Sequence, residues 1–298
     1  MKIYDCFQFF DEEMLLDLRL NVMDKYVDKF VITEATYMHN GKPKKLNFDI
    51  SKYSKFKDKI IYIVVDQAPP NLFEIFESDK DKKDTRGQKL VLNGYKRDNY
   101  QREMANEALK NIDPNDWILI NDIDEIPNLK NVDLNKIKSK FVIFRQKIFY
   151  YKFNLLYPNL FWYGSKACKR KDFISPQWLR NVKHRKYPLW RLDIMFSKRK
   201  YSDIFYINDG GWHFTNIRSA ADIEKKLLNY THHYEFEQSG LTVDDLNKKI
   251  LEKKIIYDHG VDQRKPKWNS KQTLTKIKTT NMPNYLQENL KKYANWLD

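Results

Sequence analysis

The residues with the clearest chemical potential are Asp122 and Asp124, which follow an apolar run at residues 117–120 and precede Pro127. Side chains alternate along a strand, so we expect these two carboxylates to point to the same side. Such a pair suits a hard divalent cation, Mg²⁺ or Mn²⁺, that shares its coordination with substrate phosphates. Proline has no backbone N–H to donate to the hydrogen bonds between strands. We therefore expect strand pairing to end at Pro127, with both acids at the carboxyl end of the strand. The alternative is an ordinary acidic turn.

A second cluster of interest spans residues 209–214, in which two glycines precede Trp212 and His213. Glycine allows a close approach between backbone and ligand. His213 is a candidate third metal ligand, and its imidazole would favour Mn²⁺ over Mg²⁺. The alternative is a packing histidine beside a tryptophan. We interpret three further histidines in that ordinary way: His232, His233 and His259.

Two basic features are candidates for contact with phosphate groups. Residues 41–48 form a lysine-rich stretch that opens with glycine and includes Lys44. Arg102 follows Asp98 by four residues, and a planar guanidinium suits bidentate binding of phosphate. Each feature has an ordinary alternative, a solvated basic loop in the first case and a surface ion pair in the second.

The composition indicates a globular chain without a membrane span. Charged residues make up 32% of the 298 residues, and no apolar run approaches the roughly 18 residues that cross a bilayer. The N-terminus lacks the apolar segment and cleavage site of a secretory signal. Cys6 and Cys168 are too few for a disulfide framework and are expected to be buried free thiols. We therefore expect a cytoplasmic protein.

Positive charge is concentrated in one segment. The chain has a formal net charge of +14, and residues 166–200 alone carry twelve Lys or Arg against two Asp. A basic, aromatic-rich segment can bind nucleic acid, an anionic membrane surface or a phosphorylated substrate. A general enrichment in lysine, spread over a solvated face, is the alternative interpretation.

The hydrophobic pattern predicts the doubly wound α/β class, a mostly parallel sheet with helices on both faces. Strands are predicted at residues 2–10, 29–35, 60–65 and 117–120, and helices after Asp11 and at residues 85–109. An antiparallel extension is predicted at residues 141–168, and C-terminal helices at residues 220–229, 243–254 and 284–293. No repeat or linker divides the chain, so we expect a single domain over residues 1–298.

Several motifs, taken in order, resemble glycosyltransferase family 17, the family of the β-1,4-mannosyl-glycoprotein β-1,4-N-acetylglucosaminyltransferases. They are Tyr4-Asp5-Cys6-Phe7, Glu34-Ala35-Thr36, Gly41-Lys42-Pro43, Asp98-Asn99-Tyr100-Gln101-Arg102, Asp122-Ile123-Asp124-Glu125-Ile126-Pro127 and Gly211-Trp212-His213-Phe214. The resemblance implies a GT-A type fold and inverting transfer from UDP-N-acetylglucosamine to a sugar hydroxyl. It also implies a nucleotide-sugar-binding half at residues 1–130 and an acceptor-side half at residues 131–298.

Roles for single residues follow from this resemblance. A cation held by Asp122, Asp124 and His213 would neutralise the departing diphosphate. The general base would be Asp209 or, after it, Glu125. Donor-binding residues would be Glu34, Thr36, Lys44, Asp98, Arg102, Asn121 and Asp122.

The acceptor and two rival functions stay open from the sequence. Animal members carry an N-terminal membrane anchor, whereas this chain begins close to its first predicted strand, so we expect a protein-linked or lipid-linked glycan as acceptor. The basic segment at residues 166–200 could bring the enzyme to an anionic membrane or to a phosphate-bearing acceptor. One rival is a metal-dependent nuclease or related phosphoryl enzyme, which would leave several of the motifs unexplained. The other is a lectin-like binder without activity.

Overall fold

A computed structural model describes residues 1–79, 83–188, 190–194, 196–231, 233–258, 268, 270 and 272–298. Within these residues the strands form a seven-stranded and a five-stranded sheet. The strands are β1 Ile3–Gln8, β2 Lys29–Ala35, β3 Ile60–Val65, β4 Trp117–Ile120, β5 Glu125–Pro127, β6 Phe141–Phe144, β7 Gln146–Tyr150, β8 Leu155–Trp162, β9 Lys166–Lys169, β10 Ile204–Ile207, β11 Gly211–Thr215 and β12 Thr275–Lys276.

The helices lie mainly between the early strands and after β11. They are α1 Glu13–Met23, α2 Lys83–Glu103, α3 Pro176–Asn181, α4 Ala220–Asn229, α5 His233–Ser239, α6 Val243–Leu251 and α7 Asn284–Glu288. Three of them, α3, α4 and α6, are capped at the N-terminus by a hydroxyl side chain. Ser175, Ser219 and Thr242 each accept a hydrogen bond from a backbone amide of the first turn. No helix among the described residues is long and apolar enough to cross a membrane.

The seven-stranded sheet has the order β10-β6-β9-β4-β1-β2-β3 and is parallel except at β9. Both of its faces are buried, as the near-continuous apolar runs of its strands require. Along β4, Trp117 and Leu119 pack on one face with the leucines of α1, whereas Ile118 and Ile120 pack on the other with residues such as Leu109. Helices therefore cover both faces, which confirms the predicted doubly wound architecture.

The five-stranded sheet has the order β12-β8-β7-β11-β5 and is joined to the first sheet through the turn between β4 and β5. Helices α4, α5 and α6 pack on it through Ile223, Phe236 and Leu246. The predicted antiparallel extension is present, but it divides between two sheets: β6 and β9 belong to the first, and β7 and β8 to the second.

One expectation about the acidic motif was wrong. Asp122 and Asp124 lie beyond the end of β4, in a turn, so strand alternation does not set the direction of their side chains. A second short strand, β5, follows the acids and ends at Pro127 as expected, with Pro127 opposite Gly211 in the antiparallel β5–β11 ladder. The acids are nevertheless at the carboxyl end of β4, the end where open α/β sheets bind ligands.

Candidate active site

A buried ion pair fixes the turn that carries the two aspartates. Arg19 of α1 and Asp5 of β1 are both fully buried and form a bidentate pair, with Nη2–Oδ1 at 2.5 Å and Nε–Oδ2 at 2.8 Å. Arg19 Nη1 also donates to the backbone carbonyls of Glu125, at 2.6 Å, and Asp122, at 3.2 Å. Asn121 Nδ2 donates to Asp5 Oδ1 at 2.6 Å. Helix α1 and strand β1 therefore hold both ends of the turn.

Two arginines hold the side chain of Asp122. Arg180 of α3 donates through Nη2 to Asp122 Oδ2 at 2.6 Å, and Arg102 of α2 donates to Asp122 Oδ1 at 3.0 Å. Arg180 also contacts both carboxylate oxygens of the fully buried Glu125, at 2.6 and 2.7 Å. Burial alone would raise the pKa of Glu125, but Arg180 lowers it below its ordinary value. This side of the site is thus a closed network of charge pairs.

The ammonium of Lys166 supports Arg180 from behind. Lys166 is buried on β9, and its Nζ donates to the carbonyls of Arg180 and Val182, both at 2.5 Å, at the C-terminal end of α3. A cation is favourable there because the last carbonyls of a helix carry partial negative charge. Burial, followed by the nearby Arg180 charge, lowers the pKa of Lys166 to about 7.

Asp124 has a different environment. His213 Nε2 of β11 lies 3.6 Å from Asp124 Oδ1, and Lys226 Nζ of α4 lies 3.9 Å from Oδ2. The His213 ring stacks on Trp162 with 4.8 Å between ring centroids. Burial would raise the pKa of Asp124, but His213 and then Lys226 and Arg180 hold it below its ordinary value. Asp124 is therefore a carboxylate at neutral pH.

These side chains meet at a cavity of about 400 Å³, a volume that suits a small-molecule site. Asp98, Asp122, Asp124 and His213 line it. The remaining walls combine aromatic and polar side chains, among them Glu12, His39, Trp162, Lys226, Tyr230, Tyr257 and Asp258. The cavity thus combines aromatic surfaces for flat or sugar-like groups with a strongly charged floor.

The family model of glycosyltransferase family 17 matches residues 1–297. The chain belongs to glycosyltransferase family 17. The predicted resemblance to this family is thereby confirmed. Its GT-A-like α/β architecture agrees with that assignment.

Curated relatives match a shorter stretch of this family 17 chain. The beta-1,4-mannosyl-glycoprotein 4-beta-N-acetylglucosaminyltransferases of Homo sapiens and Rattus norvegicus are each 27% identical over 121 residues, and the one of Mus musculus is 26% identical. The match covers 38% of this chain and 19% of each relative. The matched part thus spans about a fifth of the length of those relatives.

The structure brings only some of the predicted site residues to the cavity. Four line it: Asp98, Asp122, Asp124 and His213. Three more lie directly behind these and contact the same network: Arg102, Asn121 and Glu125. The family 17 motif therefore contributes both cavity-lining residues and the residues that hold them.

The predicted donor-binding residues Glu34, Thr36 and Lys44 are placed elsewhere. The fully buried Glu34 carboxylate accepts hydrogen bonds from Lys44 Nζ, from the amides of Asn47 and Phe48 at 2.7 and 3.0 Å, and from the Tyr62 hydroxyl. The Lys44 amide donates to the Thr36 carbonyl. None of the three predicted residues is among those that line the cavity. The ion pair between Glu34 and Lys44 therefore stabilises the loop at residues 41–48.

Asp209 is likewise outside the cavity. It is exposed, precedes β11, and accepts a hydrogen bond from Asn128 Nδ2 at 3.0 Å. Thr215, at the other end of β11, does line the cavity. The two glycines serve backbone packing: Gly211 has φ +110°, and a Cβ there would lie 2.2 Å from the Ile126 carbonyl. The structure therefore gives no support for Asp209, the first candidate, as the general base.

Two of the histidines interpreted as ordinary, His232 and His259, lie outside the described residues. The third, His233, is buried, and its Nδ1 lies 2.9 Å from the Tyr230 carbonyl. This contact is of the packing kind that the sequence suggested.

Sequence reasoning missed Arg19, Arg180 and Lys226. Arg19 had a detectable signal, because an arginine four residues after Leu15 falls on the apolar face of α1 and requires a buried partner. Arg180 lies in a six-residue helix, too short for periodicity, although the Ser175-Pro176 start is typical of a helix N-terminus. Nothing in the sequence around Lys226 distinguishes it from other lysines of the chain.

Proposed function

We propose that this family 17 chain transfers N-acetylglucosamine from UDP-N-acetylglucosamine to a sugar hydroxyl of a glycan, with inversion at the anomeric carbon. The observation that carries the proposal is that Asp98, Asp122, Asp124 and His213 meet in one cavity of a chain that belongs to this family. The names of the mammalian relatives, which are N-acetylglucosaminyltransferases, support the choice of sugar.

The donor set at Asp124 fits a divalent cation, Mn²⁺ or Mg²⁺, held by Asp124 and His213. No group of three or more His, Cys, Asp and Glu residues suited to a metal occurs in the described part of the chain. Two protein ligands are nonetheless enough for an ion that takes its other ligands from a diphosphate and water. When bound, the ion would neutralise the charge of the departing diphosphate.

Asp122 fits a different role from the one first predicted for it. Both of its oxygens already accept hydrogen bonds from Arg102 and Arg180. A carboxylate held in this way is better suited to position those two guanidinium groups than to bind a metal ion directly. We assign to Asp122 the orientation of the donor side of the cavity, together with Asp98 and Arg102.

The acceptor hydroxyl must pass its proton to a base on the face of the sugar opposite the departing diphosphate. Glu125 is unsuited, because Arg180 engages both of its oxygens. Two other acids that line the cavity are also paired with arginines, Asp98 with Arg102 and Glu12 with Arg218.

The proposal extends to the compartment and to the acceptor. Cys6 and Cys168 are buried free thiols, which supports our proposal of a reducing, cytoplasmic location. The acceptor is proposed as a protein-linked or lipid-linked glycan.

The test is a panel of nucleotide sugars assayed for binding and slow hydrolysis with and without Mn²⁺. We expect UDP-N-acetylglucosamine to be used in a metal-dependent way and Asp124→Asn to lower turnover by about 10²–10³-fold. The matched control is the exposed Asp209→Asn, which should keep wild-type rates. Failure to bind any nucleotide sugar, combined with salt-dependent binding of RNA or DNA, would favour the nuclease alternative.

A further inference from the structure

The loop at residues 183–200, between α3 and β10, leaves large apolar side chains in water. Trp190, Leu192 and Phe196 have exposed fractions of 80%, 74% and 88%. Side chains of this size are normally buried, and a cluster of exposed ones indicates a surface that contacts something else. We call these three side chains the apolar tip of the 183–200 loop.

The described residues at both ends of the loop are bonded to each other and to the body of the protein. The Lys183 amide donates to the Arg199 carbonyl at 2.8 Å, which joins the two ends of the loop. Trp178 Nε1 of α3 donates to the Lys198 carbonyl at 2.6 Å, and the Trp178 ring packs edge-on against Tyr201. The apolar tip is therefore presented by an anchored element.

The charge of the loop is positive and has an ordered arrangement. Residues 183–200 contain seven Lys or Arg and one acid, Asp193. Arg191 and Lys200 both pair with Asp193, at 2.8 and 2.6 Å, so the single acid is neutralised from within the loop. The other five Lys and Arg residues add positive charge in the same segment as the apolar tip.

We propose that the 183–200 loop is a membrane-docking element, in which Trp190, Leu192 and Phe196 enter the interface of an anionic lipid bilayer while the neighbouring Lys and Arg side chains contact lipid phosphates. Apolar and aromatic side chains flanked by cations suit the boundary between headgroups and acyl chains. Charge complementarity selects an anionic surface, because each nearby Lys or Arg adds attraction to it. A protein partner would offer no comparable reason for so many cations around so small an apolar tip.

The docking element is continuous with the active site. It begins two residues after α3, whose Arg180 binds Asp122 and Glu125. The bilayer contact itself does not depend on the proposed transfer reaction. One consequence does rest on that proposed function: among the glycan acceptors, a lipid-linked one is the class that a docked enzyme would meet.

The experiment is flotation of the full chain with vesicles, in the absence of nucleotide. Vesicles of phosphatidylcholine alone are compared with vesicles that also contain phosphatidylglycerol. We expect the wild type to float with the anionic vesicles only, and the triple variant Trp190→Ser, Leu192→Ser, Phe196→Ser to lose at least about tenfold in bound fraction. The matched control is Leu251→Ser, which removes a leucine that is 82% exposed at the end of α6 and should float like the wild type.

Other outcomes would overturn the proposal. Equal flotation of the triple variant and the wild type would remove the apolar tip from any role in docking, and so would a wild type that binds no anionic vesicle. Equal binding to neutral vesicles would contradict the part assigned to the cations. If the wild type were a dimer that bound no vesicles, and the triple variant were a monomer, the apolar tip would instead be the contact with a second copy of the chain.

Binding of UDP-N-acetylglucosamine is measured separately, without vesicles. Equal donor binding by the wild type and the triple variant verifies that the variant is folded. Loss of donor binding in both proteins would sink the proposed function and leave the flotation result standing.

Discussion

The two aspartates of the motif are two residues apart, yet they lie in contrasting surroundings. Asp122 belongs to a wall, the Asp122 wall, in which every carboxylate oxygen has a guanidinium partner. The wall consists of the acids Asp5, Asp122 and Glu125 with Arg19 of α1, Arg102 of α2 and Arg180 of α3. Asp124 faces His213 and Lys226 at 3.6 and 3.9 Å, distances that leave room for a further group. The difference indicates that the Asp122 wall maintains the shape of the site, whereas the Asp124 wall carries its chemistry.

This contrast predicts where substitutions will act. Changes in the Asp122 wall should lower the free energy of unfolding, because they leave buried charges without partners. Changes in the Asp124 wall should lower activity and spare stability. The predictions below test that division, and the largest effect comes first.

Arg19→Met should be the most damaging single change in the Asp122 wall. It leaves Asp5 fully buried without a cation and removes the donor to the Asp122 and Glu125 carbonyls. We expect the free energy of unfolding to fall by about 3–5 kcal/mol, measured by urea denaturation. The double variant Asp5→Asn, Arg19→Met should recover part of this loss, since it leaves no buried charge. A double variant no more stable than Arg19→Met would show that the unpaired charge is not the cause.

A matched pair of cation removals, Arg180→Gln and Lys226→Gln, compares the two walls directly. Arg180→Gln leaves the buried Glu125 without its cation and should lower the free energy of unfolding by about 2–4 kcal/mol. Lys226 is 3.9 Å from Asp124 and partly exposed, so Lys226→Gln should cost less than about 1 kcal/mol while weakening donor binding. Thermal unfolding and donor titration measure the two effects. Equal losses of stability in the two variants would contradict the division of the site into two walls.

The sequence predicts one of these walls better than the other. Asp124 and His213 come from motifs whose residue types indicate chemistry, and both line the cavity. Arg180 binds Glu125, 55 positions away, and Arg19 connects Asp5, 14 positions away, with the Glu125 carbonyl, 106 positions away. No local pattern encodes such partners. The position of Asp209 outside the cavity could not be predicted, because adjacency to Gly211 in the sequence does not tell which end of β11 faces the cavity.

The fold was predictable where strands are continuous apolar runs. The bounds predicted for β2 and β3, residues 29–35 and 60–65, are those observed, because both runs are rich in the β-branched and aromatic residues that favour strands. The short helix α3 was missed, since six residues give no period to detect. The contact between Glu34 and Lys44 could not be predicted for a related reason: a carboxylate and a lysine-rich loop resemble a phosphate site in sequence, and only the structure shows that they pair with each other.

The last prediction concerns pH and the support of the Asp122 wall by Lys166. Burial lowers the pKa of Lys166 to about 7, while an unfolded lysine titrates near its ordinary value of about 10.4. Between these values the unfolded chain binds more protons than the folded one, so this residue makes stability rise with pH across that window, by at most about 1.4 kcal/mol per pH unit. Below the folded pKa, Lys166 is protonated in both the folded and the unfolded chain, so its contribution to stability is unfavourable and does not change with pH. The measurement is the free energy of unfolding of the wild type and of Lys166→Met at several pH values. The difference, wild type minus variant, should grow from pH 7 toward pH 10; parallel curves would show that Lys166 keeps its proton beneath Arg180 throughout.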